Sequence, residues 1–172
     1  MSYEYSEDGL IEQATQEALE DLGWQVVTAW HNESFGEDGL LGRDNKSEVI
    51  LNRYLLQALE TLNPDVPKAA YDNAIDQINQ KGADKSLGQI NKEKYELLKN
   101  GVHVSFTNDK GELVKKKLKV LNYQDYKANQ FLAVRQLEVV GDLYNRRPDV
   151  VCFVNGIPLV FVELKAHTND LR

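Results

Sequence analysis

The chain has 172 residues, 42% of them apolar and 27% charged, which suits one globular domain with its own core and argues against intrinsic disorder. Twenty-seven acidic against 20 basic residues leave a formal net charge of -7, so an all-over polyanion-binding surface is excluded and any nucleic-acid contact has to come from local patches. One cysteine, Cys152, excludes an internal disulfide; with no apolar run of membrane-spanning length, the chain reads as cytoplasmic and without a membrane partner.

In chain order, the first predicted element is a helix over 7–22, with Ile11, Ala14, Thr15, Ala18, Leu19 and Leu22 on one stripe and Gly23 as its stop. WQVVTAW (24–30) reads as a short strand, and HNESFGEDGLLGRDN (31–45) as a long exposed loop. Three helices are expected next: Ser47–Leu62 with Ser47 as cap, 67–81 with Pro67 in the first turn, and 86–100 ending at Gly101. The period then changes to two. VHVSFT (102–107), the turn NDKG and ELVKKKLKVL (112–121) form a hairpin with one wet face, and FLAVRQLEVV (131–140) forms a further strand. The series closes on RRPDVVCFVNGIPLVFVELK (146–165), two apolar runs joined by Asn155-Gly156. The expected fold is α/β: a single domain over 1–172 with a mixed central sheet flanked by helices and this last hairpin in its middle.

Several weaker signals carry little. Histidines 31, 103 and 167 stand apart with no zinc spacing, and GRDNKS (42–47) lacks the glycine and the leading strand of a phosphate loop. Lys115, Lys117 and Lys119 share one strand face, which fits either DNA phosphates or a solvated edge protected against aggregation. Trp24 and Trp30 are expected to pack the first strand against helices rather than to stack on bases.

The charged residues at the mouth of the last hairpin hold most of the chemistry. Glu163 and Lys165 are two apart and so share a strand face. A two-residue turn at Asn155-Gly156 sets Asp149 opposite Val162, whereas a three-residue loop or a bulge near the mouth sets it opposite Glu163. In the second geometry Asp149, Glu163 and the Leu164 carbonyl suit a hard cation such as Mg²⁺, and Lys165 stands beside them to orient a water or to stabilise charge on a phosphate. Spacing alone also leaves a plainer reading open, in which Asp149 pairs with Arg147 and the other two are a solvated strand end. Arg146 and Arg147 either hold a phosphate or neutralise the acids.

Pro148-Asp149 and Glu163-Leu164-Lys165, separated by a short apolar hairpin, resemble the signature of the P-D…(D/E)-x-K nucleases. Together with NQFLAVRQLEVVG (129–141), LLKNGVHVSF (97–106) and NRYLLQALETLNPDVP (52–67), they resemble the N-terminal part of the restriction (R, motor) subunit of type I restriction-modification enzymes, from about residue 8 to the C-terminus. The resemblance implies a restriction-endonuclease-like core and a Mg²⁺-dependent endonuclease acting on double-stranded DNA. Asp149 and Glu163 would be metal ligands, Lys165 the catalytic lysine, and Glu12 on the first helix a further acid, with Glu17 the alternative. It also implies a motor portion that uses ATP in the full subunit only, with methyltransferase and specificity subunits as partners. The chain lacks a phosphate loop and a Gln…Tyr motif after the E-x-K strand, so a fragment of a larger subunit is expected. A catalytically idle module that docks onto those subunits or holds DNA is the rival reading.

Overall fold

A computed structural model describes residues 7–80, 82, 84–108, 110–141 and 144–165. The order is α1 (Glu7–Asp21), β1 (Gln25–Thr28), α2 (Asn52–Leu62), α3 (Lys68–Asn79), α4 (Leu87–Asn100), β2 (Val102–Thr107), β3 (Leu113–Leu118), a 3₁₀ turn (Tyr126–Ala128), β4 (Phe131–Arg135), β5 (Val139–Val140), β6 (Asn145–Arg146), β7 (Val150–Val154) and β8 (Ile157–Val162). These elements gather into two compact units, one of residues 1–49, 131–154 and 158–172, the other of 50–130 and 155–157.

The first unit is built on a mixed four-stranded sheet in the order β1-β4-β7-β8. Strand β1 runs parallel to β4 with Val26 beside Ala133, and β4 runs antiparallel to β7 with Ala133 beside Cys152 and Arg135 beside Val150. Helix α1 covers one sheet face through Leu19, which packs with Trp24, Val26, Ala133, Val150, Cys152 and Val162. The half-buried face of α1 is Ile11, Glu12, Thr15, Gln16 and Leu19, while Ala14, Ala18 and Leu22 are exposed. The apolar stripe is thus rotated toward Glu12 and Gln16, because both bond to Arg135 at the end of β4. Gly23, at φ 86°, ends the helix as expected.

The closing hairpin departs from its expected central place. Strand β7 is interior, but β8 is the last strand in the sheet order, and Leu159, Val160 and Phe161 are exposed. An apolar run on both faces therefore does not here mean cover on both faces. The predicted strand 131–140 is also two elements. Gln136 takes a left-handed backbone, φ 54°, which turns the chain out of β4 before β5 begins.

Loop 31–49 is anchored rather than simply exposed. Arg43 is fully buried, and its guanidinium makes a bidentate pair with Glu33 at 2.5 and 2.6 Å. Its remaining N–H groups donate to the carbonyls of Glu138 at 2.8 Å, Glu48 at 3.1 Å and Lys46 at 3.4 Å. Buried Leu41 lies two residues away. Arg43 thus serves to fasten this loop.

In the second unit, α2, α3 and the β2–β3 hairpin enclose Leu55, Leu59, Ala74, Ile78, Val102, Val104, Leu118 and Val120. Helix α2 starts at Asn52, not at Ser47, because Ser47 folds onto the Asn45 side chain (2.9 Å from its N–H, 2.5 Å from its hydroxyl) and Leu51 is buried ahead of the helix. Helix α3 follows Pro67 as N-cap; the expected end at residue 81 lies outside the described residues, as does His167. Ser86 and Gln89 form a capping box at the start of α4, and Gly101 closes it at φ 86°. The β2–β3 hairpin is a separate sheet with Lys115 and Lys117 on its exposed face opposite Ser105 and His103.

Two predictions follow from this packing. Glu33→Ala leaves the Arg43 charge buried and unpaired, and urea denaturation should show a loss of about 3–5 kcal/mol. Burial pushes the Cys152 thiol above its ordinary pKa, so it should resist a thiol reagent at neutral pH in the folded chain and react promptly once the chain is unfolded.

Candidate active site

Asp149 sits in the bend just before β7, half-buried between two neighbours. Its Oδ2 accepts the Leu164 N–H at 2.7 Å, so the main chain of Glu163-Leu164-Lys165 runs directly alongside the carboxylate. Its Oδ1 lies 3.5 Å from the Gln136 amide nitrogen, and that same nitrogen is 3.3 Å from Glu12 Oε1. Gln136 reaches this position because its left-handed turn ends β4 while its own N–H still donates to the Asp149 carbonyl at 2.9 Å. Two carboxylates from distant parts of the chain therefore converge on one side-chain nitrogen. The other Glu12 oxygen, Oε2, pairs with Arg135 at 2.5 Å. Glu17 points elsewhere, accepting from Gln13 at 2.9 Å, and is exposed.

The turn at the tip of the hairpin has two residues, since Asn155 and Gly156 both have positive φ (52° and 78°), the signature of a type I′ turn. The three-residue loop that would bring Asp149 opposite Glu163 is absent. Asn155 is fully buried there: its Oδ1 accepts from Gln130 N–H, and its Nδ2 donates to Val120 O and Asn129 Oδ1. Continued strictly, this turn would put Phe161 rather than Val162 on the face of Val150. Val162 nevertheless packs in the cluster of Val150 and Cys152, which is the phase that one extra residue in β8 produces. Glu163 and Lys165 are both exposed just beyond the end of β8.

Charge pairing separates these residues further. Four ion pairs stand out among the described residues: Arg43–Glu33, Lys46–Glu138, Lys85–Glu93 and Arg135–Glu12. Asp149 is not paired with Arg147, contrary to the plainer reading; Arg147 lies over the Trp30 ring at 3.6 Å and Arg146 over Tyr144 at 5.0 Å. Trp24 packs edge-on against Phe131 at 5.0 Å, in line with the structural role expected of it, whereas Trp30 remains 39% exposed. Beside Trp30 a cleft of about 340 Å³ is lined by His31, Glu33, Phe35, Lys46, Gln136 and Glu138. The Lys46 ammonium, hydrogen-bonded to Glu138, holds that carboxyl below its ordinary pKa, with smaller contributions from Arg147 and Arg43.

No three His, Cys, Asp or Glu side chains form a preformed metal cage among the described residues. The donors that do converge are oxygens, Glu12 and Asp149, with the Leu164 carbonyl on the residue that already bonds Asp149. Such a set suits Mg²⁺, which is commonly held by one or two carboxylates while keeping several waters, and does not suit zinc, which prefers nitrogen and sulfur. Sequence reasoning gave Gln136 no part in this site and Trp30 none in the cleft beside it. The interruption of the apolar run FLAV by Arg135-Gln136 was the available signal for the first.

This site, on a mixed sheet with one covering helix, accompanies a match over residues 4–172 to the family described as the type I restriction enzyme R protein N terminus. The chain belongs to that family. The HindI endonuclease subunit of a type I restriction enzyme from Haemophilus influenzae is 35% identical over 172 residues, covering 94% of this chain and 15% of the relative. A MjaIXP relative from Methanocaldococcus jannaschii, likewise named for a type I restriction enzyme endonuclease subunit, is 28% identical over 173 residues, with the same coverage of 94% and 15%. The chain thus spans about 15% of the length of these curated relatives. No described helix is long and apolar enough to cross a membrane.

Asp149→Ala removes the acceptor of the Leu164 N–H, and denaturation should show a loss of about 1–3 kcal/mol, most of it restored in Asp149→Asn, which keeps an acceptor oxygen.

Proposed function

We propose that this chain is the endonuclease domain of a type I restriction R subunit and hydrolyses phosphodiester bonds of double-stranded DNA with Mg²⁺. The observation that carries this reading is the position of Asp149, which shares the Gln136 nitrogen with Glu12 and is bonded to the main chain at Leu164. Family membership supports it, as do relatives named as endonuclease subunits.

In this reading Asp149, Glu12 and Glu163 supply carboxylate oxygens to the metal, and the Leu164 carbonyl adds a neutral one. Bound Mg²⁺ would lower the pKa of water and screen the phosphate charge. The Gln136 amide would orient the two inner carboxylates, and Arg135, paired with Glu12, would hold that side chain in place beside them. Lys165, exposed and without an ion-pair partner among the described residues, would orient the attacking water or stabilise charge on the phosphate. Translocation by ATP, and assembly with methyltransferase and specificity subunits, belong in this proposal to a full-length subunit and its complex; they are not activities of these 172 residues.

The test is plasmid nicking by the wild-type chain, Asp149→Ala and Lys165→Ala, each with Mg²⁺ and with EDTA. Wild-type cutting should require Mg²⁺, and each variant should lose on the order of 10²-fold or more. Equal traces of cutting in all three proteins would instead support the idle docking or DNA-holding module.

A further inference from the structure

Trp30, Arg147 and the cleft beside them have no part in the metal site described above, although they adjoin it in the first unit. Arg147 stands two residues before Asp149 in the chain, and Gln136, which bonds Asp149, also lines the cleft. The Trp30 indole has Arg147 at 3.6 Å from its ring centre and the His31 ring at 4.2 Å, tilted by 54°. His31 holds this place with a left-handed backbone, φ 61°, a conformation that histidine adopts more readily than most non-glycine residues.

Three other cations of this neighbourhood are already neutralised. Arg43 is paired with Glu33, Lys46 with Glu138 and Arg135 with Glu12. Arg147 is exposed and makes neither an ion pair nor a hydrogen bond among the described residues, although it lies near enough to Glu138 to lower that carboxyl's pKa. A guanidinium held over an indole ring without a hydrogen bond keeps its N–H donors available to a two-toothed acceptor. In a chain of net charge -7, an approaching polyanion needs such a local cation.

We propose that Arg147, held over the Trp30 ring, is an anchor for a DNA backbone phosphate next to the Asp149 carboxylate, and that Trp30 is its positioning residue. The proposal rests on the nuclease reading for the identity of the ligand as DNA, but not for the binding itself. Arg147 would place the strand, and the carboxylates would act on it. Arg146, over the more exposed Tyr144 at 5.0 Å, has a looser platform and a smaller expected effect.

The experiment measures equilibrium binding of a short blunt DNA duplex in EDTA, by fluorescence anisotropy across a salt series, so that no cutting is required. Arg147→Ala should bind about tenfold more weakly, with the slope of log K against log salt reduced by about one. Arg147→Lys should keep the salt slope and lose part of the affinity, because it keeps the charge without the planar fork. Trp30→Ala should weaken binding and Trp30→Phe largely restore it, whereas a role confined to bulk packing would show in melting and leave the salt slope alone. In a Trp24→Phe background, the remaining Trp30 fluorescence should change on adding DNA, and that change should vanish with Arg147→Ala. Unchanged affinity and slope in folded Arg147→Ala, or no binding by the wild-type chain, would overturn the anchor. If Arg147→Ala weakens binding while Asp149→Ala still nicks plasmid, the anchor stands and the nuclease assignment of Asp149 fails.

Discussion

The buried guanidinium of Arg43 is the constraint on which the first unit depends. An unpaired charge at 0% exposure would cost several kcal/mol, so the chain must bring a carboxylate and several carbonyls to it. Glu33 supplies the carboxylate, and Lys46, Glu48 and Glu138 supply carbonyls from two segments far apart in sequence. A loop that composition alone would leave in solvent is thereby fastened to the segment after β4. Trp30, His31 and the cleft wall inherit their positions from that fastening.

The same economy of charge bears on the proposed site. With Glu33 committed to Arg43, Glu138 to Lys46 and Glu12 to Arg135, Asp149 and Glu163 are left with no cationic partner among the described residues. Arg146, Arg147 and Lys165 are left with no acid. Most of these charges are exposed at the start of β7 and the end of β8, where leaving them unpaired costs little. In the proposed reading the acids serve a metal and the bases a phosphate.

Geometry at the hairpin depends on a separate balance. The Asn155-Gly156 turn closes in two residues because both adopt positive φ, and the Asn155 side chain is fully bonded in its buried position. A two-residue turn alone would send Asp149 and the E-x-K segment out of phase. Val162 in the cluster of Val150 and Cys152, and Leu164 bonded to Asp149, bring them back within reach at the mouth. The turn serves local backbone preference, and the mouth serves burial and hydrogen bonding.

Much was legible from local pattern: the bounds of α1 and α4, the Gly23 and Gly101 stops, and the period-two hairpin at 102–118; of the proposed site, the nearness of Asp149 to the Glu163-Leu164-Lys165 segment was anticipated. Periodicity, capping and turn chemistry are short-range, so one sequence suffices to read them. It did not reveal that β8 is an edge, that 131–140 breaks at Gln136, or that α2 waits until Asn52, since each depends on a partner distant in the chain: the strand order, the Asp149 carbonyl, and the packing of Leu51. Nor could it choose which acid each arginine takes. Ion pairing is settled by three-dimensional proximity, and only the fold decided that Arg147 would lie on Trp30 instead of against Asp149.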